Sequence, residues 1–193
     1  GLTDAGVRAI GCGVDVTDER AVAALHELLA ERGLLPQHVV NAAGILPRGQ
    51  MRDTDAATFR PVLDVNLTGA YTVTRAFSAE LVASRAGRLI NIASIAGTTG
   101  YPFPAYAASK AALINLTRSL VIDFWGTGVT VNAVCPGAMD TPMLDRSAVA
   151  AFVRRTPTRR VATPDEVAGV CAFLASHDAA AINGQSIVVD GGA

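Results

Sequence analysis

Residues 88–134 read RLINIASIAGTTGYPFPAYAASKAALINLTRSLVIDFWGTGVTVNAV. The first six, ending at Ala93, form a short apolar run rich in branched side chains, which predicts a buried strand. After a loop of Gly, Thr and Pro, residues 105–125 place Leu113, Leu116, Leu120 and Phe124 at helical spacing, and Gly126 and Gly128 stop the helix. Residues 129–134 are again a Val-rich strand. Strand, helix and strand in this order predict a βαβ unit of a parallel sheet.

The rest of the chain repeats the alternation. Residues 7–14 are an apolar run, followed by Thr17 as a candidate N-cap, Asp18 and Glu19 in a first turn, and Val22, Leu25, Leu28 and Leu29 on one face up to Gly33. Val39 and Val40 lead into Asn41-Ala42-Ala43-Gly44. A helical stretch begins at Thr54 and Asp55 and runs through Phe59, Leu63 and Leu67 to Leu81. Beyond Pro136 an irregular, partly charged stretch reaches Ala162, where a substrate loop and a short helix are expected. Thr163-Pro164-Asp165-Glu166 reads as N-cap, first-turn proline and capping-box glutamate. The chain closes with a strand at residues 186–189 and Asp190-Gly191-Gly192. No repeat or linker marks a boundary, so one domain over residues 1–193 is expected.

Composition narrows the function. Half of the 193 residues are hydrophobic, yet charged or polar residues interrupt every apolar run well short of the ~18 needed to span a bilayer. The net charge is −1, and only Arg154, Arg155, Arg159 and Arg160 cluster, as solvated loop charges do, so neither nucleic acid nor membrane is an expected partner. Cys12, Cys135 and Cys171 lack metal-ligand spacing and lie among small apolar residues, which fits a reducing cytoplasm and no metal site.

The chemistry concentrates in Tyr106-Ala107-Ala108-Ser109-Lys110. Four residues apart on a helix, Tyr106 and Lys110 share a face. A phenol with a pKa near ~10 becomes a useful acid-base group when a nearby cation favours the phenolate. A bare Tyr-x-x-x-Lys is ordinarily a solvated pair; its company gives it weight. Ser94 ends the preceding strand at the carboxyl edge, where ligands sit in open α/β sheets. Asn66 is a polar residue inside an apolar helical stretch.

Asn66, Ser94, Tyr106 and Lys110 together resemble the catalytic tetrad of the short-chain dehydrogenase/reductase family, and the resemblance runs from Asp15 onward. Asp15-Val16 is similar to that family's adenine contact. Asn41-Ala42-Ala43-Gly44 is similar to its Asn-Asn-Ala-Gly motif under the adenosine ribose. Pro136-Gly137-Ala138-Met139-Asp140-Thr141 resembles its segment near the nicotinamide carboxamide and phosphates, with Pro136, Gly137, Met139 and Thr141 as the contacts. The last strand resembles that of single-domain members.

The resemblance implies a Rossmann-like, doubly wound parallel α/β sheet and an oxidoreductase that interconverts a small-molecule carbonyl and an alcohol with NAD or NADP. It implies that Tyr106 is the acid-base, that Ser94 orients the substrate oxygen, and that Lys110 lowers the Tyr106 pKa and bonds the nicotinamide ribose. Asn66 holds a water of the proton relay. It also implies a homotetramer or homodimer built on the helices at 59–81 and 105–125. The competing reading is a non-catalytic scaffold or interaction member of the fold, without cofactor binding.

Two departures stand out. Ser94 and Tyr106 are 12 residues apart, one fewer than in most of the family, so a shortened loop through Tyr101 and Phe103 is expected. No Gly-x-x-x-Gly-x-Gly or Gly-x-Gly-x-x-Gly occurs among the 18 glycines. In the family's sheet order 3-2-1-4-5-6-7, residues 7–14 correspond to the third strand and Val39–Asn41 to the fourth. The expectation is therefore a truncated sheet with the first two strands absent, in a truncated or incompletely represented protein.

Overall fold

In the computed structural model, which describes residues 9–193, β-branched runs and amphipathic segments alternate as the sequence predicts. Helix α1 spans Glu19–Glu31, and strand β1 follows at His38–Asn41. Helices α2 (Ala56–Leu63), α3 (Gly69–Ala76) and α4 (Ser78–Ala83) come next, with a π-helical segment at Asp64–Thr68 between the first two. Strand β2 is Arg88–Ile92, helix α5 Pro104–Asp123 and strand β3 Thr130–Pro136. Helices α6 (Val149–Arg155) and α7 (Pro164–Ala175) precede the last strand, β4, at Ser186–Val189.

Among the described residues the four strands form one parallel sheet in the order β1-β2-β3-β4. Asn41 pairs with Asn91, and Ile90 pairs with both Val40 and Asn132, so the carboxyl ends of the strands gather along one edge. Alternation along the strands builds two apolar layers. On one face Val39, Leu89 and Val131 pack with Phe77, Leu81, Leu120 and Phe124, and Leu25 and Leu29 of α1 lean on the same cluster. On the other, Ile90 and Val134 pack with Val167 and Leu174 of α7. All seven residues of β3 are buried, as expected for a strand covered on both faces.

Local chemistry sets the helix ends. Asp55 caps α2 by accepting from the Thr58 amide, and Thr163 and Glu166 close the expected capping box at α7. At α1 the cap is Asp18, whose carboxylate accepts from the amides of Arg20 and Ala21, and not Thr17 as the sequence suggested. The reason is Asp15, whose Oδ1 takes both the Thr17 amide (2.9 Å) and its hydroxyl (2.8 Å) in a local turn.

The strand expected at residues 7–14 is a second correction. Its first two residues lie outside the described ones, and residues 9–14 are irregular. No described strand lies alongside them, and a run without a ladder partner gains nothing from extended geometry. Cys12 is accordingly exposed rather than packed among small apolar residues, whereas Cys135 is buried and Cys171 half-buried. Among the described residues no helix is long and apolar enough to cross a membrane.

Candidate active site

Ser94 follows directly from β2, where its extended backbone caps a short 3-10 turn at Ile95–Gly97, and its Oγ accepts from the Ala96 amide at 3.1 Å. Gly97 in that turn lies so close to α5 that a Cβ there would sit 2.7 Å from the backbone of Lys110 and Ala111. Close packing of turn on helix thus requires glycine, and it holds Ser94 beside the first turns of α5. Pro104 opens that helix, which carries Tyr106 and Lys110 one turn apart on its buried side.

Tyr106, Ser94 and Lys110 are buried, with only 4% of Lys110 exposed. Burial raises the Tyr106 phenol above its ordinary pKa, and the Ser94 hydroxyl draws it back down. Burial acts on Lys110 in the opposite sense and lowers it to about 8. The sequence reading had Lys110 tuning Tyr106 by its charge. Here the Lys110 Nζ lies 5.8 Å from the centre of the Tyr106 ring, and its firm contact is a bond donated to the Ile92 carbonyl at 2.7 Å. Desolvation dominates both groups. Among the described residues Lys110 has no carboxylate partner, so two of its three N–H donors are left for another acceptor.

Asn66 sits in the π-helical segment, the kind of local widening that marks many functional sites. Its amide clasps one residue of the loop after β1: Oδ1 accepts from the Ile45 amide (2.7 Å) and Nδ2 donates to the Ile45 carbonyl (3.0 Å). The second Nδ2 hydrogen goes to Ser109 Oγ at 3.0 Å. Gly44 lies between this clasp and Lys110, with an added Cβ 3.4 Å from Asn66 Oδ1 and 3.5 Å from Lys110 Nζ. The structure therefore brings all four tetrad positions and Gly44 to one end of α5.

The remaining expected cofactor contacts divide. Gly137 follows β3 at the same sheet edge, where its amide donates to the Val189 carbonyl and any Cβ would meet Asp190 at 2.7 Å. Pro136, Met139 and Thr141 flank it, tied down where Met139 bridges to Ala162. Asp15 is exposed, Val16 rests against Gly69 at the start of α3, and Ala42 and Ala43 are exposed after β1. Asn41 is buried, and its amide nitrogen bonds within the fold. Its Nδ2 lies within bonding reach of the Ala70 carbonyl, Thr74 Oγ1 and Asn91 Oδ1, and Asn91 in turn donates to Thr117. That buried polar chain fixes β1 and β2 to α3 and α5.

Sequence reasoning passed over three neighbours. Tyr101 lies tilted at 50° to Tyr106 with ring centres 6.1 Å apart and meets Phe103 edge-on at 5.5 Å, making an aromatic wall beside the phenol. Arg48 crosses from the loop after β1 to donate to the Met143 carbonyl at 3.0 Å; burial raises the Tyr101 phenol and the Arg48 charge opposes that rise, while Asp145 is lowered first by its bonds from Ser147 and further by Arg48. Ser109, inside the quoted pentapeptide, is fully buried. A Ser on the buried side of an apolar helix was the available signal for it.

The residues fit a nicotinamide nucleotide at one end: a buried ammonium with donors unmatched beside a phenol and a hydroxyl suits a neutral, acceptor-rich sugar and a carbonyl. The family described as enoyl-(acyl carrier protein) reductase matches residues 2–193. A cis-4-hydroxycyclohexanecarboxylate dehydrogenase of Sinomonas cyclohexanicum is 39% identical over 99% of this chain and 79% of its own length. A 3-oxoacyl-(acyl carrier protein) reductase of Brucella melitensis, solved with bound NAD, is 35% identical with a TM-score of 0.91 over 99% of this chain and 74% of that one. A gluconate 5-dehydrogenase of Burkholderia cenocepacia, solved with NADP and tartrate, is 30% identical with a TM-score of 0.92 over 99% and 77%. Fold, tetrad and matches agree, and the chain belongs to the short-chain dehydrogenase/reductase family, whose fold is Rossmann-like and whose members are oxidoreductases.

Proposed function

We propose that this protein interconverts a carbonyl and a secondary alcohol with NAD or NADP, Tyr106 acting as the acid-base. The observation that carries the reading is the convergence at one end of α5 of Ser94, Tyr106 and a buried Lys110 that meets no carboxylate among the described residues. Tyr106 and Lys110 would flank the nicotinamide riboside, with Gly44, Gly137 and Thr141 offering backbone and hydroxyl contacts. When bound, the nicotinamide gives up or takes the hydride.

The chain's own residues manage the proton and the geometry. Ser94 Oγ holds the substrate oxygen beside the phenol. In reduction the Tyr106 O–H bond breaks and its proton passes to that oxygen; in oxidation the phenolate takes the alcohol proton. Burial raises the phenol, which keeps it protonated and ready to donate, and a charged Lys110 opposes that shift once further acceptors stabilise its ammonium. The aromatic wall of Tyr101 and Phe103 supports a substrate with an apolar body, and the relatives' names, a cyclic hydroxy acid, a sugar acid and a 3-oxoacyl thioester, supply a panel to test. Turnover followed by nicotinamide absorbance on that panel, with Tyr106→Phe alongside, tests the reading. Activity that Tyr106→Phe retains would remove Tyr106 from the role.

We also infer a homodimer or homotetramer in the cytoplasm. Ile122 and Trp125 stand 70% and 83% exposed at the end of α5, and Tyr71 and Val82 are exposed on α3 and α4. Large apolar groups on those helices support burial against a second copy. A monomer mass by light scattering would refute it.

A further inference from the structure

Two members of the tetrad, Asn66 and Tyr106, are joined by a fifth residue. Ser109 Oγ donates to the Tyr106 carbonyl at 2.7 Å and accepts from Asn66 Nδ2 at 3.0 Å. It is fully buried, as is Asn66 at 1% exposure, so no water competes for either bond. Because the hydroxyl hydrogen is committed to Tyr106, Ser109 presents a lone pair to Asn66. That orientation demands an N–H from the amide and so decides which way the Asn66 side chain is turned. With Nδ2 facing Ser109 and the Ile45 carbonyl, Oδ1 is left facing the Ile45 amide. One hydroxyl thereby links the loop after β1, the π-helical segment and the first turn of α5.

We propose that Ser109 is a positioning residue for the reaction: it sets the turn that carries Tyr106 against Asn66 and the Ile45 loop, and so the distance from the phenol to the Ser94 hydroxyl. The proposal rests on the acid-base role given to Tyr106 above. It touches neither substrate nor cofactor. Its effect passes through backbone placement, where small displacements of a reacting group carry large rate penalties.

Five full-length variants test it: Ser109→Ala, Ser109→Cys, Asn66→Ala, the Ser109→Ala and Asn66→Ala double variant, and Tyr106→Phe. Ser109→Ala should lower kcat by on the order of tenfold while the KM for NAD(H) or NADP(H) stays within about twofold, because positioning and not cofactor binding is lost. The pH profile of alcohol oxidation should move alkaline, since a displaced phenol loses the help of Ser94. The double variant should be no slower than Asn66→Ala by more than about twofold, because the two residues act in one chain. Ser109→Cys, close in size with a weaker donor, should fall between wild type and Ser109→Ala, and it keeps the question open to measurement if the alanine variant does not fold. A normal kcat and pH profile in Ser109→Ala, or fully additive losses in the double variant, would overturn the proposal. If Tyr106→Phe itself retains turnover, the acid-base reading has failed instead.

Discussion

The Lys110 ammonium donates to the Ile92 carbonyl at 2.7 Å, joining the second turn of the active-site helix to the last residue of β2. The bond anchors a side chain that burial drives toward its neutral form, with a pKa of about 8 against an ordinary 10.5. A lysine whose folded pKa lies below its unfolded one binds fewer protons when folded, so stability rises with pH between the two values. From pH ~8 to ~9 Lys110 should add up to about 1.4 kcal/mol of unfolding free energy. Above that, the raised thiol of Cys135 and the raised phenol of Tyr106 act in the opposite sense. Urea unfolding across this window should show the rise in the wild type and its loss in Lys110→Met. A Lys110→Met curve parallel to wild type would show that Lys110 stays charged through it.

Tyr106→Phe keeps the ring that packs near Tyr101 and Lys110 and removes only the hydroxyl. The expected result is a fall in kcat of roughly 10²–10⁴ with cofactor affinity nearly unchanged. Lys110→Met should differ by weakening cofactor binding as well. Stopped-flow binding with single-turnover rates separates the two, and equal loss of binding in both variants would contradict the division of labour.

Much of this was legible because it is local. The βαβ unit at 88–134, the capping box at Thr163 and the spacing from Tyr106 to Lys110 depend on neighbours within a few positions. What escaped depends on distant ones. Nothing near Thr17 announces that Asp15 will claim its amide and hydroxyl and pass the cap to Asp18. The helical run from 56 to 83 gave no hint of the π-helical segment that turns Asn66 toward Ile45, because that clasp joins residues 21 apart in sequence. Asn41 looked like a cofactor contact by its motif, and only the fold shows its amide among Thr74 and Asn91. Ser109 gains meaning from a partner 43 positions away.

Arg48 offers a test of substrate preference. Its guanidinium bonds a neutral carbonyl, that of Met143, while Asp145 nearby already accepts from the amide and hydroxyl of Ser147. A cation in the loop beside this site predicts a preference for substrates that carry a carboxylate. Arg48→Ala should raise the KM of hydroxy-acid substrates about tenfold, the scale of one charge-assisted bond, with little change for a neutral alcohol. Equal effects on both would place Arg48 in loop structure only.

Gly97→Ala probes whether turn and helix must touch for catalysis. The added Cβ would lie 2.7 Å from the Lys110 carbonyl carbon and the Ala111 amide nitrogen, backbone atoms of a helix that cannot swing aside. The turn must lift instead, and it carries Ser94, whose carbonyl accepts from the Gly97 amide at 3.0 Å and whose Oγ accepts from Ala96. Overpacking of this kind costs about 1–3 kcal/mol. The rate should suffer more than the fold, because a shift of even ~1 Å between Ser94 and Tyr106 is worth on the order of a hundredfold. Gly100→Ala is the matched control, since a Cβ there meets nothing within 4 Å. Thermal unfolding and kcat measured on both should show Gly100→Ala near wild type and Gly97→Ala folded at low temperature but nearly inactive. A fully active Gly97→Ala would mean that the helix yields, and that the spacing from Ser94 to Tyr106 tolerates more freedom than this packing implies.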